Sequence, residues 1–317
     1  AVSVSCSKPV SLEEGSDDSG FTAPSVATKK VNQLVLAQLP FENRQDFDDS
    51  KRGFIGQVPN LTITSIDESE IWNMPEYDFV QYQGENGNAP ASVNPSLWRQ
   101  AALNNQHGLF KLQQGIYQIR NFDLANMTII EGEKGWILVD PLTAKETAKE
   151  AIEFAWQELG NKPISAIIFT HSHIDHFGGV QGVLELLPKA QKNNLDIIGP
   201  KGFMEEAVSE NLIAGAAMGR RAGYMYGKYL PRTERGHVGT GLGKGPAFGS
   251  MGIVEPNVIV DENTKTSVID GVTFEFQYVP ESEAPAELTF YLPESKAFSG
   301  AELVSKTMHN LYTLRGA

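Results

Sequence analysis

Thr170-His171-Ser172-His173-Ile174-Asp175-His176-Phe177-Gly178-Gly179 is the stretch on which the reading of this chain turns. It places three of the six histidines in the sequence, together with one aspartate, directly after Ile164-Ser-Ala-Ile-Ile-Phe169. That apolar run predicts a strand covered on both faces. His171 and His173 are two apart, so on an extended strand end they point the same way. Asp175 and His176 fall where the chain turns into the next helix and address a second position close by. Imidazole and carboxylate suit zinc, and also iron or manganese. Two such ions ~3.5–4 Å apart can clamp a reacting oxyanion. Gly178 and Gly179 let the backbone turn tightly beside them. A solvated His-rich loop is the plain alternative, but four ligand-type residues in HxHxDH order at a strand-to-helix junction favour metal.

Working outward, Gly115–Arg120, Asn126–Glu131 and Gly135–Asp140 predict an antiparallel meander. Thr143–Leu159 has helical period, with Thr143 and Glu146 in a capping-box pattern and Gly160 as the stop. A second helix is expected from about Gly179 to Leu187, a short strand at Asp196, and a longer helix from near Phe203 through Met218. Gly236–Gly252 reads as a loop. Ser267–Phe276 predicts a hairpin turning at Asp270-Gly271, and Leu288–Leu292 with Lys296–Ser299 a further strand pair. Alternating strands and helices with antiparallel pieces at both ends predict a layered α/β sandwich. Residues 31–105 predict short helices and long loops wrapped on that body as an N-terminal extension. Residues 1–30, polar and rich in Ser, Asp and Pro, read as a flexible leader. The last stretch reads like a helix that should continue, with Leu311 and Leu314 on one face, so truncation at the C-terminus is expected.

Twenty-six Lys and Arg against 39 Asp and Glu give 26 − 39 = −13, which speaks against nucleic acid and anionic membrane surfaces. No apolar run reaches the ~18 residues of a spanning helix. The single cysteine, Cys6, excludes an internal disulfide framework. An alanine start fits a removed secretory signal, hence a periplasmic or secreted protein, and fits a trimmed chain equally.

The histidine motif resembles that of the metallo-β-lactamase superfamily, whose αββα sandwich holds one or two metals at the sheet edge. Val93-Asn-Pro-Ser-Leu-Trp-Arg99, His107-Gly-Leu-Phe110, Ala217-Met-Gly-Arg-Arg-Ala222, Glu283-Ala-Pro-Ala-Glu287 and Met308–Ala317 narrow the resemblance to the bacterial zinc-dependent alkylsulfatases, which include enzymes that degrade dodecyl sulfate. It runs in order from about Val93 to Ala317. It implies a catalytic domain over 106–317 and two zinc ions. His171, His173 and Glu283 would hold one ion and Asp175 with His176 the other, with Glu302 bridging. One further histidine ligand of the family lies beyond residue 317, as do a helical dimerisation region and a small apolar-tunnel domain, so the full-length protein is expected to be a homodimer. Glu287 is a rival to Glu283, and the motif register favours Glu283. Arg315 matches the sulfate-binding arginine, Asn310 adds an amide donor, and Phe248 is a candidate for the alkyl-tail channel.

The sequence also departs from that family. Around the first glutamate, typical members read Pro-Gly-Thr-Glu where this chain has Pro280-Glu281-Ser282-Glu283. After the bridging glutamate a histidine has become Lys306. A lysine beside the sulfate could stabilise or protonate the leaving anion. Hydrolysis of secondary alkyl sulfates with inversion at carbon is therefore expected, with Asp175 and Lys306 as catalytic candidates. Attack at sulfur with retention, another hydrolase on the same fold, and a catalytically silent metal-binding fragment are the alternatives.

Overall fold

Trp136 to Val139 are buried on both faces of the strand they form, and that double burial sets the layering. Trp136 and Leu138 pack into one core with Ala148, Ile152 and Ala155. Ile137 and Val139 pack into a second, with Phe274, Phe276 and Phe290. The sheet carrying them therefore has helices on one side and another sheet on the other. The computed structural model describes residues 21–84, 87–261 and 265–305.

The strands are β1 (Phe54–Gly56), β2 (Thr62–Thr64), β3 (Glu70–Asn73), β4 (Gly108–Gln113), β5 (Ile116–Arg120), β6 (Met127–Glu131), β7 (Trp136–Val139), β8 (Ile164–Ile168), β9 (Asp196–Pro200), β10 (Val258–Val260), β11 (Lys265–Ile269), β12 (Val272–Tyr278), β13 (Leu288–Leu292) and β14 (Ala297–Ser299). The helices are α1 (Val26–Gln38), α2 (Gln45–Lys51), α3 (Pro95–Leu103), α4 (Lys145–Leu159), α5 (Val180–Leu186), α6 (Lys189–Lys192), α7 (Phe203–Val208) and α8 (Gly215–Tyr226). The large sheet has the order β1-β4-β5-β6-β7-β8-β9-β10, and β11-β12-β13-β14 form the small one. Pairing is antiparallel from β1 to β7 and parallel from β7 to β10. The parallel strands place their C-terminal ends on one edge, where ligands bind in open α/β sheets. On the outer face of the small sheet, Val268 and Phe298 stand exposed.

The hairpin at Asp270-Gly271 forms with both residues at positive φ, 46° and 80°, as a tight two-residue turn requires. Asp270 Oδ2 also accepts from Gly135 N at 2.9 Å and Ser165 Oγ at 2.6 Å, joining the small sheet to the β6–β7 turn. The expected long helix after Phe203 is interrupted: Ser209–Ile213 is π-helical between α7 and α8.

Three further expectations are corrected. Ser25 caps α1, its hydroxyl accepting from Thr28 N at 3.1 Å, so the expected leader of residues 1–30 already turns helical at Val26. The extension also supplies strands, β1 pairing with β4 at the sheet edge. The Thr143–Glu146 capping box does not form. Ala144 is the N-cap with no side-chain cap, because Asp123 takes that role from another part of the chain. Its buried carboxylate accepts from Thr143 N, Ala144 N, Thr143 Oγ1, Thr147 Oγ1, Leu124 N and Ala247 N. Glu146 instead accepts from Ser250 N at 2.9 Å. Asp123 thus pins the start of α4 and the glycine-rich loop to each other. Asp123→Ala strands several buried donors, each costing about 1–3 kcal/mol. We expect a loss of at least ~3 kcal/mol in urea-induced unfolding; a loss below ~1 kcal/mol would contradict this role.

Candidate metal centre

Asp140 ends β7 in the left-handed region, φ 56°. That turn aims its carboxylate at the neighbouring end of β8. Thr170 N donates to Oδ1 at 2.8 Å and Thr170 Oγ1 donates to Oδ2 at 2.7 Å. His176 Nδ1 donates to the same Oδ2 at 2.8 Å. Because the Thr170 hydroxyl gives its proton to Asp140, it accepts from His171 Nδ1, 2.8 Å away. The hydrogen-bond network therefore places a proton on Nδ1 of both imidazoles and turns Nε2 of each toward the donor cluster. Both Nε2 atoms are buried without a hydrogen-bond partner, and the two rings lie 4.0 Å apart.

The two glutamates arrive from the small-sheet side. Glu287 Oε2 accepts from Ser282 Oγ at 3.0 Å, Glu283 N at 3.0 Å and Ala284 N at 2.8 Å. It shapes the loop between β12 and β13 that presents Glu283. Glu283 Oε2 reaches within 3.1 Å of His173 Nδ1 and 3.7 Å of His171 Nε2. Glu302, in the turn after β14, sets Oε2 3.7 Å from His171 Nε2 and Oε1 3.7 Å from His176 Nε2. Asp175 Oδ2 stands 3.5 Å from His176 Nε2. The structure thus brings Glu283 to the imidazoles and leaves Glu287 behind it as the loop's acceptor. Glu281 adopts φ 58°, where the family pattern carries glycine, and Ala301, next to Glu302, adopts φ 48°.

The convergent donors form two sets sharing Glu302, one of His171, His173 and Glu283, the other of Asp175 and His176. A third grouping, Asp140 with His171 and His176, is a poorer candidate, since Asp140 already accepts three hydrogen bonds. The partnerless buried atoms His171 Nε2 and His176 Nε2 are what a divalent cation would satisfy. The electrostatics agree. Burial pulls the His173 pKa down, but Glu283, Glu210 and Asp175 more than offset it and hold it at about 9. Burial likewise opposes the charge on His176, and Asp175, Asp140 and Glu302 raise it well above the ordinary value. Glu302, despite burial, is held far below the usual carboxylate range by His171 and His176.

His173, Asp175 and Glu302 form one wall of a cavity of about 420 Å³. Its other walls include Trp72, Leu124, Met218, Tyr226, Phe248 and Met251. Phe248 is half exposed there, with Lys228 Nζ 4.7 Å from its ring centroid. Lys306, Asn310 and Arg315 lie outside the described residues. The sequence reading did not single out Asp140, Thr170, Glu210 or Lys244. An aspartate ending a buried strand is the one signal that could have flagged Asp140. Lys244 is buried beside Tyr77, with Nζ donating to Ala101 O at 2.8 Å, and burial lowers its pKa to about 7.

Residues 120–282 match the metallo-beta-lactamase superfamily, and the chain belongs to it. Within it, the chain is homologous to alkylsulfatases. The linear primary-alkylsulfatase of Pseudomonas sp. is 47% identical over 292 residues, 92% of this chain and 43% of the relative. The (R)-specific secondary-alkylsulfatase of Pseudomonas sp. is 43% identical over 299 residues, again 92% of this chain and 43% of the relative. The solved structure of the stereoselective inverting sec-alkylsulfatase Pisa1 from Pseudomonas sp. matches with a TM-score of 0.85 and 42% identity, covering 92% of this chain and 45% of that one. The chain spans a little under half the length of these relatives. No helix among the described residues is long and apolar enough to cross a membrane.

Two outcomes are expected of the site. Asp140→Ala frees both rings that Asp140 orients, so affinity for zinc, measured by chelator competition, should fall about 10–100-fold. Second, the metal-free protein holds His173 protonated up to about pH 9, against 6.5 when unfolded. That contribution to stability is full below pH 6.5 and lost as pH rises through about 9. Metal must displace this proton, so affinity should rise over the same interval; calorimetry in buffers of different ionisation enthalpy reads the protons released.

Proposed function

We propose that this chain is the metal-binding part of an alkylsulfatase, which hydrolyses an alkyl sulfate ester to an alcohol and inorganic sulfate. The observation that carries the reading is a single cavity with a convergent carboxylate–imidazole wall facing an apolar one. A sulfate ester is anionic at one end and apolar at the other: the apolar wall suits the tail, and the donor wall would suit the anion once its carboxylates hold cations. His171, His173 and Glu283 would hold one zinc ion and Asp175 with His176 a second, with Glu302 between them. When bound, the ions supply Lewis acidity and lower the pKa of water toward about 7.

The chain's own residues do the rest. Asp140 and Thr170 fix the tautomers of His176 and His171. Asp175, at the cavity wall, accepts a proton from the attacking water. Arg315 and Asn310 orient the sulfate oxygens through N–H donors. Phe248, with Trp72, Leu124 and Met251, takes the alkyl tail and excludes water from it. Lys306, where the family pattern has histidine, places a cation or a proton donor at the departing sulfate.

That last substitution leads us to secondary alkyl sulfates with attack at carbon: water oxygen bonds to carbon as the C–O bond breaks, and sulfate leaves with the electron pair. Similarity to the linear primary-alkylsulfatase supports a second reading, in which the water oxygen bonds to sulfur and the alcohol keeps its configuration. Turnover of racemic 2-octyl sulfate by the full-length protein in ¹⁸O-water separates them. We expect label in the alcohol, with activity lost to a chelator and restored by zinc. Label in the sulfate would establish the second reading. A zinc-loaded protein that cleaves neither primary nor secondary alkyl sulfates would end the proposal of hydrolysis.

A further inference from the structure

Each histidine of the motif has two ring nitrogens, and a ligand histidine needs the one not facing metal to be tied down. For two of the three the tie is evident: His171 Nδ1 lies 2.8 Å from Thr170 Oγ1, and His176 Nδ1 lies 2.8 Å from Asp140 Oδ2. His173 is turned the opposite way. Its Nδ1 faces the donor cluster, 3.1 Å from Glu283 Oε2 and 4.0 Å from Glu302 Oε2. Its Nε2 faces outward, and the carboxylate it meets is Glu210, with Oε2 at 3.6 Å. Both side chains are mostly shielded from water, at 15% and 23% exposure, so the attraction between them is weakly screened.

Glu210 owes its place to an irregularity. It sits in the π-helical turn Ser209–Ile213, in which Ala214 N reaches back to Ser209 O at 2.9 Å. A π-turn inserts one extra residue into a helix and so changes which side chains face the core. Such turns concentrate at functional sites. Here the turn joins α7 to α8 on the rim of the cavity, with Asn211 Nδ2 donating to Ala207 O at 2.9 Å across it.

We propose that Glu210 is a positioning residue of the metal centre: its carboxylate faces His173 Nε2, keeps the ring proton on that nitrogen, fixes the ring's tautomer and rotation, and thereby presents Nδ1 as a ligand. The proposal rests on the reading of His173 as a metal ligand. It makes the π-turn, far from the motif in sequence, part of the site.

The test uses the full chain and the variants Glu210→Ala, Glu210→Gln and Glu210→Asp, each stripped of metal and reloaded with zinc or cobalt(II). Zinc affinity comes from competition with a chromophoric chelator, and ligand geometry from the cobalt(II) d–d spectrum. Glu210→Ala should weaken zinc binding about 10–100-fold and shift the cobalt spectrum. Glu210→Asp should recover part of both, and Glu210→Gln, which keeps a hydrogen-bond acceptor without the charge, should fall between. Graded recovery of the cobalt spectrum from Glu210→Ala through Glu210→Gln to Glu210→Asp is a readout that a merely structural role would not give. Unchanged affinity and spectrum in Glu210→Ala, with the unaltered chain binding metal, overturn the role of Glu210 alone. If the unaltered chain takes up no zinc or cobalt, the metal reading falls and this inference with it.

Discussion

A single buried carboxylate, that of Asp140, orients the histidine site. It accepts three hydrogen bonds, from one backbone N–H, one hydroxyl and one imidazole, and through the hydroxyl it sets a second imidazole. Its position depends in turn on β7, whose residues are buried alternately into the helix-side and the sheet-side cores. Packing therefore fixes the strand, the strand fixes Asp140, and Asp140 fixes two ring tautomers. Both Nε2 atoms are thereby turned toward the same donor cluster.

Much of the fold was legible because its signals are local. The meander, α4, the Asp270-Gly271 hairpin and the strand ahead of the histidine motif each follow from periodicity or turn chemistry within about ten residues. Where pairing is long-range, the reading fell short. Asp123 displaced the Thr143–Glu146 cap from 20 residues away, an interaction that no spacing rule encodes. Strands β1 to β3 are only three or four residues long, too short to show alternation. Of the site, the HxHxDH segment was readable from chemistry alone, whereas Glu283 and Glu302 came from family resemblance. Asp140 and Glu210 belong to elements 30 to 40 residues from the motif; only the apolar strand that Asp140 ends hints at it, and nothing beside Glu210 marks that residue.

Three of the turns that present carboxylates to this site share a feature. Asp140 itself, Glu281 two residues before Glu283, and Ala301 one residue before Glu302 all adopt positive φ without being glycine. Each such residue costs on the order of 1–2 kcal/mol, and surrounding structure must hold it there. At Glu281 that support is the Glu287 carboxylate, which gathers three donors from the same loop. Strain and buried acceptors together set where the acidic ligands stand, and this explains how a glutamate is tolerated where relatives of the resembled family use glycine.

The donor set also has a topological meaning. His171, His173, Asp175 and His176 follow the large sheet, while Glu283 and Glu302 belong to turns of the small one, over a hundred residues along the chain. An ion gripped from both sides would be a cross-link closing a long loop, the role a disulfide plays in other proteins and one that the single cysteine here cannot fill. In the chain-entropy description a link of that span removes several kcal/mol, ~4–5, of freedom from the unfolded ensemble. The conformational endurance of the sandwich, and with it its lifetime among proteases, becomes coupled to metal supply.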